Sequence, residues 1–126
     1  MKTIFVVDDN IVNLMMADDA LSDRYNVITF AAVTNMLNVL NKIIPDLILM
    51  DVLMPGIDGF EALKLLKADA RFSNIPVIFL TSDNNKTTES RGLEMGITGF
   101  ISKPYSQPVL LDRITAHFEE NNEKNI

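Results

Sequence analysis

The chain alternates between two kinds of apolar pattern. Five short segments are rich in β-branched and aromatic residues: Thr3 to Val7, Asn26 to Phe30, Asp46 to Met50, Pro76 to Leu80 and Gly99 to Ser102. Several are apolar almost throughout, which suits parallel strands buried on both faces. Between them the apolar positions move to helical spacing. Val33, Met36, Leu37, Leu40 and Ile44 fall at i, i+3, i+4, i+7 and i+11, a helix stripe that Pro45 is expected to end. Asp58 and Glu61 stand three apart ahead of Ala62, Leu63 and Leu66, an Asp-initiated variant of the capping box. Gly96, after Met95, takes the place of a helix C′ glycine. Leu110, Ile114 and Phe118 form a last stripe, with Ser106 as its N-cap and Pro108 in its first turn.

Strand and helix alternate five times, which predicts an α/β (βα)5 fold with a doubly wound parallel sheet and helices on both faces. The expected strand order is the flavodoxin-like 2-1-3-4-5. Residues 1–118 read as one domain, and 119–126 as a polar tail that frays or trails off the last helix.

Composition narrows the class. At 126 residues and 48 % apolar content the chain can bury a sizeable core without staples. It has no cysteine, which removes disulfides and thiolate metal sites. No apolar run approaches the roughly 20 residues that span a bilayer. The apolar run before Asp8 is too short for a signal peptide, so no membrane insertion and a cytoplasmic location are expected. The net charge of −6 disfavours a nucleic-acid backbone as partner.

In open α/β sheets, ligands bind beyond the carboxyl ends of the strands. There the sequence places Asp8 and Asp9 after the first strand, Asp51 after the third, Thr81 after the fourth and Lys103 after the fifth. With strands 1 and 3 adjacent, three carboxylates converge on one crevice with a hydroxyl and an ammonium beside them. Like charges that close need compensation, and a hard divalent cation supplies it. A carboxylate can itself attack phosphorus and hold an aspartyl-phosphate, with Thr81 and Lys103 serving the transferring oxygens. The constellation reads as a metal-assisted phosphoryl acceptor.

Four runs carry a family resemblance: Val7-Asp8-Asp9-Asn10, Leu49 to Gly59, Ile78 to Ser82 and Phe100 to Tyr105. They resemble receiver domains of two-component response regulators, over roughly Lys2 to Phe118 and in the family's order. The resemblance implies a cytoplasmic switch rather than an enzyme, one that assists only its own phosphorylation and dephosphorylation. Its phosphodonor would be a sensor histidine kinase or histidine phosphotransfer protein. Asp51 would be the phosphoacceptor. Asp8, Asp9, Asp51 and the Leu53 carbonyl would hold Mg²⁺ or Mn²⁺. Thr81 would be the switch hydroxyl, Lys103 would pair with the phosphoryl group, and Lys103-Pro104 would be a cis peptide. Phe100 would be the aromatic rotamer switch. A downstream protein would dock on the face made by helix 4, strand 5 and helix 5.

Leu53 and Asp83 occupy the positions that tune phosphoaspartate lifetime in this family. Leu53 has no polar side chain to orient water, so slow hydrolysis is expected unless Asp83 or a partner supplies that group. Ser82 stands where the family usually has alanine. Nothing after the last helix resembles an output domain, so a stand-alone receiver or one excised from a larger regulator or hybrid kinase is expected. Competing readings are a flavodoxin-like FMN carrier, a small aspartate phosphatase and a phosphorylation-independent docking module. The carrier needs a phosphate-cradling loop where Asp8 and Asp9 stand, and the phosphatase an Asp-x-Asp pattern after strand 1. Three bland alternatives stay open: Phe100 as ordinary core, His117 as a solvated helix-end residue, and the seven methionines as packing.

Overall fold

The computed structural model describes residues 1–82 and 86–124, the last four by backbone alone. Five strands and five helices alternate: β1 Thr3–Val7, α1 Ile11–Leu21, β2 Asn26–Phe30, α2 Val33–Leu40, β3 Leu47–Asp51, α3 Gly59–Ala68, β4 Val77–Thr81, α4 Lys86–Glu94, β5 Gly99–Ser102 and α5 Gln107–Lys124. The strands form one parallel sheet in the order β2-β1-β3-β4-β5. The order and the doubly wound architecture are those expected from the pattern.

Successive strand side chains point to opposite faces, and that period of two builds two cores. Phe5, Val7, Ile48, Met50, Val77 and Phe79 join Met36 and Leu40 of α2 and Leu63 and Leu66 of α3 on one face. Ile4, Val6, Leu47, Leu49, Ile78 and Leu80 meet Leu14 and Leu21 of α1 and Leu110 and Ile114 of α5 on the other. Every residue of β3 and β4 is buried, which is why those segments read as unbroken apolar runs.

The helix ends follow local chemistry. Asp58 caps α3 by accepting from the Glu61 amide at 2.9 Å. Ser106 Oγ accepts from the Val109 amide at 3.3 Å in the first turn of α5. Gly96 takes a φ of +99°, the left-handed conformation of a C′ glycine.

Four expectations shift. First, β3 and β4 start one residue late and end one residue late, so Asp51 and Thr81 are their last residues. Pro76 has no amide to donate to a ladder, and only its carbonyl is used, by the Ile48 amide at 3.0 Å. Second, α2 stops at Leu40 and its stripe excludes Ile44, which is 54 % exposed. The Lys42 and Ile43 amides both close on the Val39 carbonyl, and Pro45 disfavours helical backbone at the residue before it. Third, α5 stays helical to Lys124, beyond the start of the polar segment at Glu119. Fourth, His117 is therefore mid-helix and buried, its ring 5.0 Å from that of Phe118.

Two of the three leucines of α3 test this packing. Leu63→Ala empties a fully buried site and should cost about 2–5 kcal/mol in denaturant unfolding. Leu65→Ala, at a half-exposed position, should stay within about 0.5 kcal/mol.

Candidate functional site

The carboxyl ends of β1, β3, β4 and β5 meet at one edge of the sheet. Asp8 follows β1 directly and is fully buried. Its amide donates to the Phe30 carbonyl at 3.1 Å, and its Oδ1 accepts from the Asn10 amide at 2.9 Å. Asn10 in turn caps α1, its Oδ1 accepting from the Val12 amide at 2.9 Å and the Asn13 amide at 3.3 Å. One short turn thus starts a helix and fixes a carboxylate.

Asp51 lies at the end of β3, 8 % exposed, and the Val52 amide continues the ladder to the Leu80 carbonyl at 3.3 Å. Thr81, at the end of β4, is 3 % exposed, and its carbonyl accepts from the Lys103 amide at 2.8 Å. The sheet's own hydrogen bonds therefore carry these residues to the site.

Lys103 follows β5 and joins the carboxylates. Its Nζ lies 2.6 Å from Asp8 Oδ2 and 3.4 Å from Asp51 Oδ2. The Lys103-Pro104 peptide is cis. Oxygens of Asp8, Asp9 and Asp51 can all lie within 4.8 Å of one another, and Asp9 faces solvent. Three carboxylates against one ammonium leave two negative charges uncompensated. Burial pushes the Asp51 carboxyl above its ordinary value; Lys103 pulls it back, and Asp8 pushes it further up.

The set fits a hard cation. Hard carboxylate oxygens from two strand ends, one of them exposed, suit an ion that keeps several waters. Leu53 is 64 % exposed beside the cluster's loop, so its side chain packs on nothing that would fix it as core. Phe100 is part-buried, its ring edge-on to Phe79 at 5.9 Å, so it is neither full core nor free. Asp83 lies outside the described residues.

Tyr105 is a residue that the sequence pattern does not single out. Its hydroxyl is buried without a hydrogen-bond partner, beside a cleft of about 240 Å³ lined also by Asn13, Met16, Ser82 and Lys103. Burial first, then the charges of Asp8 and Asp51, push that hydroxyl up to about 12, so it stays protonated at neutral pH. An aromatic two residues after a lysine carries no sequence signal for such a position.

The response regulator receiver domain profile matches residues 4–115. The chain belongs to that family. A receiver is a signalling module, and this one has the acidic cluster that fits the family's phosphorylation site and Mg²⁺. The receiver is 33 % identical over 117 residues to the polar-differentiation response regulator DivK of Brucella ovis, covering 92 % of this chain and 95 % of that one. It is 32 % identical to a probable cyclic di-GMP phosphodiesterase of Vibrio cholerae over 98 % of its own length but 28 % of that protein's. Response regulator PleD of Caulobacter vibrioides is 35 % identical, with 25 % of its length covered. Among solved structures, chemotaxis protein CheY4 of Vibrio cholerae superposes with a TM-score of 0.87 at 30 % identity, over 92 % of this chain and 98 % of that one.

The charge balance has a measurable consequence. A carboxyl raised in the fold opposes folding once ionised, so its penalty is absent below the unfolded value of 3.8 and develops as pH rises past it. Asp51→Asn should therefore unfold at higher denaturant than the parent at pH 7, and the gap should close as pH falls toward 3.8.

Proposed function

We propose that this receiver is a phosphorylation-dependent switch that accepts a phosphoryl group on Asp51. A phosphohistidine on a sensor kinase or phosphotransfer protein is the donor. The observation that carries the reading is the single cluster of Asp8, Asp9, Asp51 and Lys103 at the strand ends, inside a chain of this family.

In the transfer, an Asp51 carboxylate oxygen forms the new P–O bond as the P–N bond to imidazole breaks and the imidazole leaves with the electron pair. Asp8, Asp9, Asp51 and the Leu53 carbonyl would hold Mg²⁺ or Mn²⁺, which neutralises charge on the phosphoryl oxygens when bound. Lys103 already reaches Asp51 at 3.4 Å, so it can pair with an oxygen added there. Thr81 stands on the adjoining strand end, where its hydroxyl can donate to the same group. Phe100 pairs in register with Phe79, two residues before Thr81, so movement at Thr81 is felt beside that ring. The output surface is then α4, β5 and α5, read by a protein partner.

No helix among the described residues is long and apolar enough to cross a membrane. With the net charge of −6, that supports a cytoplasmic protein partner rather than nucleic acid. The chain spans about a quarter of the length of the phosphodiesterase and PleD relatives but nearly all of DivK. It works as the same switch alone or as the receiver of a longer regulator or hybrid kinase.

Acetyl phosphate with Mg²⁺ should add one base-labile phosphoryl group, seen by mass spectrometry. Asp51→Asn or chelation should abolish it; labelling that survives either change overturns the reading, and a docking module or FMN carrier would take no label. The side chain at position 53 offers no group to orient water, so the phosphorylated chain should decay over minutes or longer. Leu53→Asn should shorten that lifetime several-fold; decay within seconds in the parent would contradict the slow-hydrolysis expectation.

A further inference from the structure

Helix α4 holds the sheet through very little: among its described residues, Gly92 is the one that is buried. A Cβ placed on Gly92 would stand 2.7 Å from Ile97 Cδ1, 3.0 Å from Phe100 Cζ and 3.3 Å from Phe79 Cε2. These neighbours differ in how they can yield. Ile97 can withdraw a terminal methyl, and Phe79 is wholly enclosed. Phe100 is part-exposed, so its ring has an outlet to solvent. The Gly92 carbonyl also accepts from the Ile97 amide at 3.1 Å, which ties the end of α4 to the same spot.

The Phe100 ring closes an aromatic row. Phe60 meets Phe79 edge-on at 5.4 Å, and Phe79 meets Phe100 edge-on at 5.9 Å. The Arg91 guanidinium of α4 lies 4.1 Å over the Phe60 ring, at the far end of the row from Phe100. Phe60 follows Gly59, where a Cβ would come within 2.8 Å of the Asp51 carbonyl oxygen. The row therefore begins against the backbone of the acceptor aspartate and ends beneath α4.

We propose that Gly92 is a positioning residue for Phe100: its missing Cβ makes the seat in which the ring rests under α4. Whether that seat is filled decides which surface α4 and β5 present to the output partner. This rests on the reading of that face as the output surface, but the seat itself is measured without phosphorylation.

The test is Gly92→Ala in the full chain, with ring-to-ring NOEs between Phe79 and Phe100 as the readout. The variant should lose that NOE as the Phe100 ring turns outward. Ser90→Ala adds helix propensity on an exposed part of α4 and should leave it intact. Gly92→Ala with Phe79→Leu reopens space and should return Phe100 inward, read as NOEs from its ring to the methyl groups introduced at position 79. The double variant also serves if Gly92→Ala alone fails to fold. An NOE retained in Gly92→Ala, or lost equally in Ser90→Ala, overturns the proposal, as does a double variant whose ring stays outward. Acetyl phosphate should still add one phosphoryl group to Gly92→Ala, since Gly92 lies outside the acidic cluster. Loss of that labelling would mean that the residue is needed to build the acceptor site, and would overturn its assignment to the ring alone. Absent labelling in the parent would sink the switch reading and leave the seat standing.

Discussion

Crowding three carboxylates at the end of a parallel sheet is the constraint around which this molecule is arranged. Like charges at that separation repel, and burial takes two of them, Asp8 and Asp51, away from the water that would otherwise screen them. Lys103 offsets part of the repulsion through its 2.6 Å contact with Asp8 and its longer contact with Asp51. Removing Lys103 would cost more than its contacts contribute, because the buried carboxylate charges would be left uncompensated. The rest of the deficit is the physical basis of the proposed cation and phosphoryl binding.

The fold supplies the rigidity that this arrangement requires. Parallel strands bring their carboxyl ends to one edge, and the ladder bonds at Val52 and Lys103 carry it past the last strand residues. The backbone ladder thus fixes where Asp51 and Thr81 stand. Two apolar cores, one on each face, clamp the sheet between α2, α3 and α4 on one side and α1 and α5 on the other. α4 contributes least to that clamp, which suits the part in the output surface proposed for it.

Much of this was legible in the residues, for identifiable reasons. Unbroken apolar runs at β3 and β4 announced strands buried on both faces, and the polar residues at the ends of the strands pointed to the cluster of Asp8, Asp9, Asp51 and Lys103. Capping at Asp58 and Ser106 was legible because a polar side chain has few other uses there. The end of α2 was not, because Ile44 continues a helical spacing that Pro45 prevents the backbone from following. His117 was misread because polar neighbours suggested an end, whereas the helix runs on. The unpaired Tyr105 hydroxyl and the seat at Gly92 depend on which side chains meet across the sheet, and no spacing along the chain encodes that.

The acidic trio is short of positive charge and should take one divalent cation. Titrating the unphosphorylated chain with Mg²⁺, followed by amide NMR, tests it most directly. One saturable site should appear, with shifts centred on Asp8, Asp9, Asp51 and Leu53 and strongly weakened in Asp9→Asn. Shifts spread evenly over the acidic surface, or a titration that Asp9→Asn leaves unchanged, would contradict it.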